Sequence, residues 1–236
     1  MNNLSIIIPA AGLGLRVGNS NPKILTKLEN EDTILSRNLY LVSKIFPLSE
    51  IVIVVGFQKN KIIKYLNEQK INNRIKIVHN LNFEKNNVGQ SLNLGIQKAS
   101  YNNILIIYGD LIFNQVSLTE LPLEEEKTFL VIDHNNLMNS DEVGICIENN
   151  KIQELNYNYD QKWCQIAYLN KWDKQLFLKI TYNNCWIEKL FGFEIFNKMI
   201  KKGTVFKQVI IEKMKLIELD TFKDLKKIKE KWQDFI

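Results

Sequence analysis

Cysteine is scarce in this chain, and histidine, arginine and proline are about as scarce. The three cysteines, Cys146, Cys164 and Cys185, stand far apart with no CxxC pair. That spacing excludes a zinc ribbon or a disulfide frame and fits free thiols in a reducing compartment. With only His79 and His134 present, no Ser/His/Asp arrangement can be read. Arginine occurs only at Arg16, Arg37 and Arg74, so lysine supplies most of the 31 basic residues behind a net charge of +5. Lysines scattered over helix faces are solvated surface rather than a nucleic-acid footprint. The charge does suit a site that handles polyanionic nucleotides. No apolar run approaches the ~20 residues of a membrane span, and Met1-Asn2-Asn3-Leu4 carries no basic targeting segment. The protein is expected to be cytoplasmic, with neither nucleic acid nor membrane as partner. Proline- and glycine-rich linkers, repeats and low-complexity tracts are also missing.

What remains is a chain of 236 residues, 45% hydrophobic and 24% charged, within the globular range. The expected organisation is one domain over 1–236. Residues 1–115 form its nucleotide-binding half, and residues 116–236 form its acceptor-binding half. Strands are predicted at Ser5–Pro9, Glu50–Val55, Arg74–His79 and Asn103–Tyr108. Between them the spacing predicts helices at Thr33–Phe46, Lys59–Asn67 and Gln90–Ala99. Continuous Ile/Val runs without alternation indicate strands covered on both faces. Strand-helix repetition then implies a mainly parallel sheet with right-handed crossovers. The rhythm changes after Asp110, with strands expected at Thr128–Asp133, Val143–Glu148 and Lys151–Glu154. Helices are expected at Trp172–Thr181 and Ile187–Lys201. A last strand, Lys215–Leu219, leads into a helix over Phe222–Phe235, started by the capping-box pattern Thr221-x-x-Asp224.

The most informative stretch runs from Pro9 to Lys23, PAAGLGLRVGNSNPK. It leaves the first strand, carries three glycines and includes Arg16 and Lys23. Glycines there let backbone N–H groups approach phosphate oxygens. Arg16 can fork onto the outer phosphates, and Lys23 can place a point charge near the α-phosphate. Two familiar motifs fail against it. The dinucleotide fingerprint needs glycine or alanine where Val17 stands, and no GxxxxGK[ST] follows the strand.

Ala10-Ala11-Gly12-Leu13-Gly14-Leu15-Arg16 followed by Pro22-Lys23 resembles the signature AAGxGxR…PK of nucleotidyltransferases acting on sugar phosphates, phosphocholine and related acceptors. The resemblance implies a Rossmann-like three-layer α/β/α sandwich with a mixed, mainly parallel sheet. It also implies that a loop containing Ala10, Ala11, Gly12 and Gly14 wraps the triphosphate. Arg16 would hold its β/γ end and Lys23 would steady charge at the α-phosphorus. Tyr108-Gly109-Asp110 closes the fourth strand, where an acid faces the ligand crevice of an open α/β sheet. Ile217-Glu218-Leu219-Asp220 with Asp224-Leu225 is similar to the family's EIDxxxDL segment. On that similarity Asp110 and Asp220 are paired ligands for Mg²⁺, which takes one or two carboxylates alongside phosphate oxygens. Because the acceptor's own phosphate is the nucleophile, no general base is required.

Asn86-Asn87-x-x-x-Ser91-Leu92 lies in a segment resembling the base pocket of choline-phosphate-type cytidylyltransferases. Asn87 and Ser91 are therefore the base-reading candidates, with CTP the expected donor and UTP the alternative. Asp133, Trp163, Gln165, Tyr168 and Glu194 are candidates for the acceptor pocket. The shortness of the second half favours phosphocholine-like or phosphorylated amino-acid-like acceptors, phosphoglutamine among them, for capsule or surface-polysaccharide precursors. A UTP-dependent uridylyltransferase of sugar 1-phosphates and a non-catalytic nucleotide-binding regulator are the rival readings. A glycosyltransferase would show Asp-x-Asp, whereas Leu111 and Ile112 follow Asp110. The sequence leaves monomer and homodimer open.

Overall fold

The computed structural model describes residues 3–14, 21–29, 31–134, 141–157, 159–182, 184 and 186–235. Eleven strands are present among them: β1 (Leu4–Ala10), β2 (Glu50–Val55), β3 (Arg74–His79), β4 (Asn103–Ile107), β5 (Leu111–Phe113), β6 (Phe129–Asp133), β7 (Gly144–Glu148), β8 (Lys151–Asn156), β9 (Gln161–Leu169), β10 (Lys207–Ile210) and β11 (Leu216–Glu218). The helices are α1 (Ile34–Ile45), α2 (Lys59–Asn67), α3 (Val88–Lys98), α4 (Val116–Thr119), α5 (Lys171–Thr181), α6 (Gly192–Ile200) and α7 (Phe222–Glu230). The main sheet runs β10-β6-β9-β4-β1-β2-β3, with β7 and β8 hanging from β9. β9 is antiparallel to both of its neighbours β4 and β6, while β1, β2, β3 and β4 pair in parallel, as do β6 and β10. Only β9 therefore runs against the rest of that path, and the sheet is mixed and mainly parallel.

The apolar runs explain the layering. β2 is buried along its whole length and β1 is buried until Ala10, so both must be covered on two faces. Leu35, Leu39 and Val42 of α1 and Ile62 and Leu66 of α2 cover one face. Leu92 and Ile96 of α3, Phe177 of α5 and Ile195, Phe196 and Met199 of α6 cover the other. This is the expected three-layer α/β/α sandwich. Each of the buried isoleucines in these strands contributes roughly 1.5–3 kcal/mol over an exposed one.

The second half departs from the predicted elements at β9 and in the second helix after it, besides the short α4 and β10, for which no element was expected. β9 is the longest strand and falls in a stretch for which no strand was expected. Its residues Trp163-Cys164-Gln165 look too irregular for the plain Ile/Val signal. The helix expected over Ile187–Lys201 is also split, into a single 3₁₀ turn at Ile187–Lys189 and α6. In the turn and just after it, the backbone carbonyls of Glu188 and Leu190 accept from the N–H groups of Asn87 and Gly89 at 2.7 and 3.1 Å. A continuous helix would have consumed those carbonyls internally.

Candidate active site

The parallel strands β1 and β4 end side by side, and the chain segments leaving them build the floor of a cavity of about 880 Å³. Gly109 donates its N–H to the Pro9 carbonyl at 3.2 Å, and a β-carbon on Gly109 would stand 2.8 Å from that oxygen. The close approach of these two strand ends thus requires glycine. Gly14 adopts φ +63° with the Lys23 side chain packed where its β-carbon would be. That contact folds the glycine loop back onto the 3₁₀ turn Lys23–Leu25, placing Gly12, Gly14 and Lys23 on one wall.

Asp110 and Asp220 come together across the small ribbon formed by β5 and β11. Antiparallel pairing of Leu111 with Glu218 continues in a bond from the Leu219 N–H to the Asp110 carbonyl at 2.9 Å. The Lys23 ammonium donates to Asp110 Oδ2 at 2.7 Å and to Asp220 Oδ1 at 2.8 Å. Glu218 is the third carboxylate, and one oxygen from each of Asp110, Glu218 and Asp220 lies within 4.8 Å of the other two. Burial, then the charges of Asp110 and Asp220, push the Glu218 carboxyl up to about 9. Asp110 Oδ1 is buried with no hydrogen-bond partner. Three converging carboxylates, a single ammonium and an orphaned oxygen match the hard oxygen-donor set of a magnesium ion. The sequence reading missed Glu218. Strand alternation could have found it, because positions 218 and 220 share one face of a strand.

Asp220 is held by the start of α7. Asp224 accepts from the Asp220 N–H at 3.1 Å, from the Thr221 N–H at 2.6 Å and from the Thr221 hydroxyl at 2.9 Å. Replacing Asp224 with alanine should therefore cost about 1–2 kcal/mol of stability. It should also weaken divalent-cation binding. Urea unfolding and Mn²⁺ titration of the same variant check both effects, and a stability loss with unchanged Mn²⁺ affinity would separate Asp224 from the site.

On the opposite wall, Asn80 at the end of β3 is 2% exposed and forms a mutual amide pair with Asn86 at 2.9 and 3.0 Å. Asn80 also donates to the Ser91 hydroxyl oxygen at 3.1 Å. Asn87 donates its amide nitrogen to the Lys189 carbonyl at 2.6 Å. A carbonyl can only accept, so this bond orients the Asn87 amide and leaves Oδ1 and the second N–H of Nδ2 to meet a ligand.

The structure brings Ala10, Ala11, Gly12, Gly14, Lys23, Asn87, Ser91, Asp110, Trp163, Gln165 and Asp220 to this one cavity. Arg16 lies outside the described residues. The other three acceptor candidates sit elsewhere. Alternation along β9 turns Tyr168 to the face opposite Trp163, where it is wholly buried and stacked on Phe129 at 5.3 Å. Glu194 caps α6, accepting from the Phe191 N–H at 2.6 Å. Asp133 borders a second, polar cleft of about 600 Å³ together with His134, Glu142 and Lys162. Gln165 carries the positive φ of +57° beside the bulge in the β6–β9 pairing. That left-handed turn aims its amide at Glu218, to which it donates. Strain of this kind collects at ligand sites.

Residues 22–189 match a family described as Domain of unknown function (DUF6564). The chain belongs to that family. No curated protein matches it. The DUF6564 chain is similar in structure to the inositol-1-phosphate CTP transferase from T. maritima, with a TM-score of 0.79, 16% identity and 98% of both chains covered. CTP:phosphocholine cytidylyltransferase from Streptococcus pneumoniae is similar at 0.79 and 20% identity, covering 97% of this chain and 98% of that one. A UDP-glucose pyrophosphorylase complexed with UDP-glucose gives 0.78 at 12% identity, with 98% of both chains covered. At these identities the likeness is one of fold, and the fold is that of nucleotidyltransferases. No helix among the described residues is long and apolar enough to cross a membrane.

Proposed function

We propose that this protein is an Mg²⁺-dependent nucleotidyltransferase that moves CMP from CTP to the phosphate of a small acceptor and releases pyrophosphate. The observation that carries this reading is the meeting of the glycine loop, Lys23 and the three carboxylates in one cavity at the ends of β1 and β4. The structural neighbours named for CTP transfer agree with it.

Asp110, Asp220 and Glu218 would hold the metal, which supplies charge neutralisation at the α- and β-phosphates. Backbone N–H groups of the Gly12–Gly14 segment cradle the phosphates, with Arg16 on the β/γ end. Lys23 swings from the carboxylates to the α-phosphate and offsets the charge that grows there. An acceptor phosphate oxygen bonds to the α-phosphorus as the bond to the bridging oxygen breaks, and that oxygen leaves with pyrophosphate. The nucleophile is ionised at neutral pH, so positioning and electrostatics suffice. Asn87 Oδ1 accepts from the exocyclic amine of cytosine, whereas the O4 of uracil would face it as a second acceptor. This supports CTP over UTP. The product is a CDP-linked precursor for capsule or surface-polysaccharide decoration.

Pyrophosphate release with Mg²⁺ and each of the four NTPs, against a panel of phosphorylated acceptors, tests the assignment. CTP should exceed UTP by about tenfold or more, the worth of one mispaired polar group. Equal use of both would remove Asn87 from base selection.

A further inference from the structure

Asn80 directly follows β3, and its N–H donates to the Val55 carbonyl at 2.9 Å, which anchors it beside the end of β2. Its side chain is buried and borders the reaction cavity. A buried amide must find partners, and this one is bonded three times within the protein. One amide hydrogen goes to Asn86 Oδ1 and the other to Ser91 Oγ, while Asn80 Oδ1 accepts from Asn86 Nδ2. Both Nδ2 hydrogens are spent, so Asn80 has no donor left for a ligand. Its third bond lands on Ser91. A hydroxyl has one proton and two lone pairs, and Asn80 occupies one of the lone pairs. Among the described residues the Ser91 proton has no acceptor, and Ser91 lines the cavity. Ser91 stands one helical turn after Asn87 on α3, which puts both side chains on one face.

We propose that Asn80, clamped by Asn86, is a positioning residue for base selection, holding the Ser91 hydroxyl as a donor towards ring nitrogen N3 of the nucleotide. The inference rests on the nucleotidyl-transfer reading and deepens its choice of CTP. N3 of cytosine carries a lone pair and accepts from such a hydroxyl. N3 of uracil carries a hydrogen, which would meet the Ser91 proton head on. The exocyclic position alone discriminates less sharply, because Asn87 keeps an N–H beside its Oδ1. N3 lies next to the group that Asn87 meets, as Ser91 lies next to Asn87 on the helix. An unclamped serine would rotate and offer either its proton or a lone pair, which suits both pyrimidines. The amide clamp turns a tolerant hydroxyl into a selective one.

The test is the ratio of the calorimetric Kd for UTP to that for CTP, each measured with Mg²⁺. Asn80→Asp keeps the size of the side chain and exchanges its donor for an acceptor. The new carboxylate still accepts from Asn86 Nδ2 and now accepts from the Ser91 hydroxyl, which turns a serine lone pair to the base. The ratio should fall about tenfold or more. The added charge cancels in it, since it acts on both triphosphates alike. Ser91→Ala should lower the ratio as well, by about threefold to tenfold. In the Ser91→Ala background, Asn80→Asp should change the ratio no further, because Asn80 reads the base only through that hydroxyl. Should Asn80→Asp not fold, Asn80→Ala takes its place, freeing the hydroxyl and lowering the ratio as far as Ser91→Ala does. A packing role for Asn80 alone would weaken CTP and UTP equally. An unchanged ratio in the folded variant therefore overturns the proposal, as does a shift that persists in the Ser91→Ala background. A parent protein that binds CTP and UTP alike overturns it too. Failure of the parent to bind either nucleotide overturns the transferase reading instead.

Discussion

Asp110→Asn should lower the rate of pyrophosphate release by at least about a thousandfold and leave the fold intact. The substitution keeps the shape of the side chain and removes one of three carboxyl groups that converge within 4.8 Å. A metal held by the remaining acids loses both affinity and position, and several kcal/mol of transition-state stabilisation go with it, at about 1.4 kcal/mol per tenfold in rate. Stability should change little. Lys23 exchanges one of its two charge-assisted hydrogen bonds for a neutral one to the amide oxygen, and the repulsion that pushes Glu218 up to about 9 is partly relieved. Circular dichroism and a melting curve establish the fold, and a Mn²⁺ titration should show weakened binding. Near-normal turnover in a well-folded Asp110→Asn protein would remove the carboxylate cluster from the chemistry.

The parts of this site readable from sequence are those carried by local pattern. β2, α2 and β3 fall on their predicted residues because an unbroken Ile/Val run marks the buried β2, amphipathic spacing marks α2, and alternation in RIKIVH marks the half-exposed edge strand β3. The glycine loop announces itself by composition, and Asp110 by following a buried strand. Long-range pairing is another matter. Nothing local tells that Asn87 would bond to the carbonyl of Lys189, or that the helix expected over Ile187–Lys201 must break to present it. β9 escaped notice because its bulged centre carries tryptophan, cysteine and glutamine instead of a β-branched run. Tyr168 was placed in the acceptor pocket on residue type alone, whereas the alternation of β9 buries it against Phe129. Residue type suggests chemistry, but the face of an element decides whether that chemistry reaches the cavity. The same rule brings in Tyr157 and Phe193, which the fold sets around one opening.

Lys23→Met carries the other large expectation, and its sign depends on what is measured. In the free protein, the Lys23 ammonium pairs with both Asp110 and Asp220, with 15% of its side chain exposed against 25% for each partner. Removing it leaves like charges facing one another, and breaking a buried pair costs about 3–5 kcal/mol. Partial exposure of all three groups lowers that figure, so a loss of about 1–3 kcal/mol is expected in urea unfolding without divalent cations. The same loss of positive charge makes the cluster a better cation trap. Mn²⁺ in the absence of nucleotide should bind Lys23→Met about tenfold more tightly than the parent, which would return stability at saturating metal through linkage. Turnover should nevertheless fall by about a hundredfold or more, since the ammonium that would offset the charge growing at the α-phosphate beside the metal is gone. A variant that is destabilised, binds metal better and catalyses worse is what a lysine shared between carboxylates and phosphate predicts. A lysine serving structure alone would give the first effect without the third, and unchanged Mn²⁺ affinity would show that Lys23 does not compete with metal for Asp110 and Asp220.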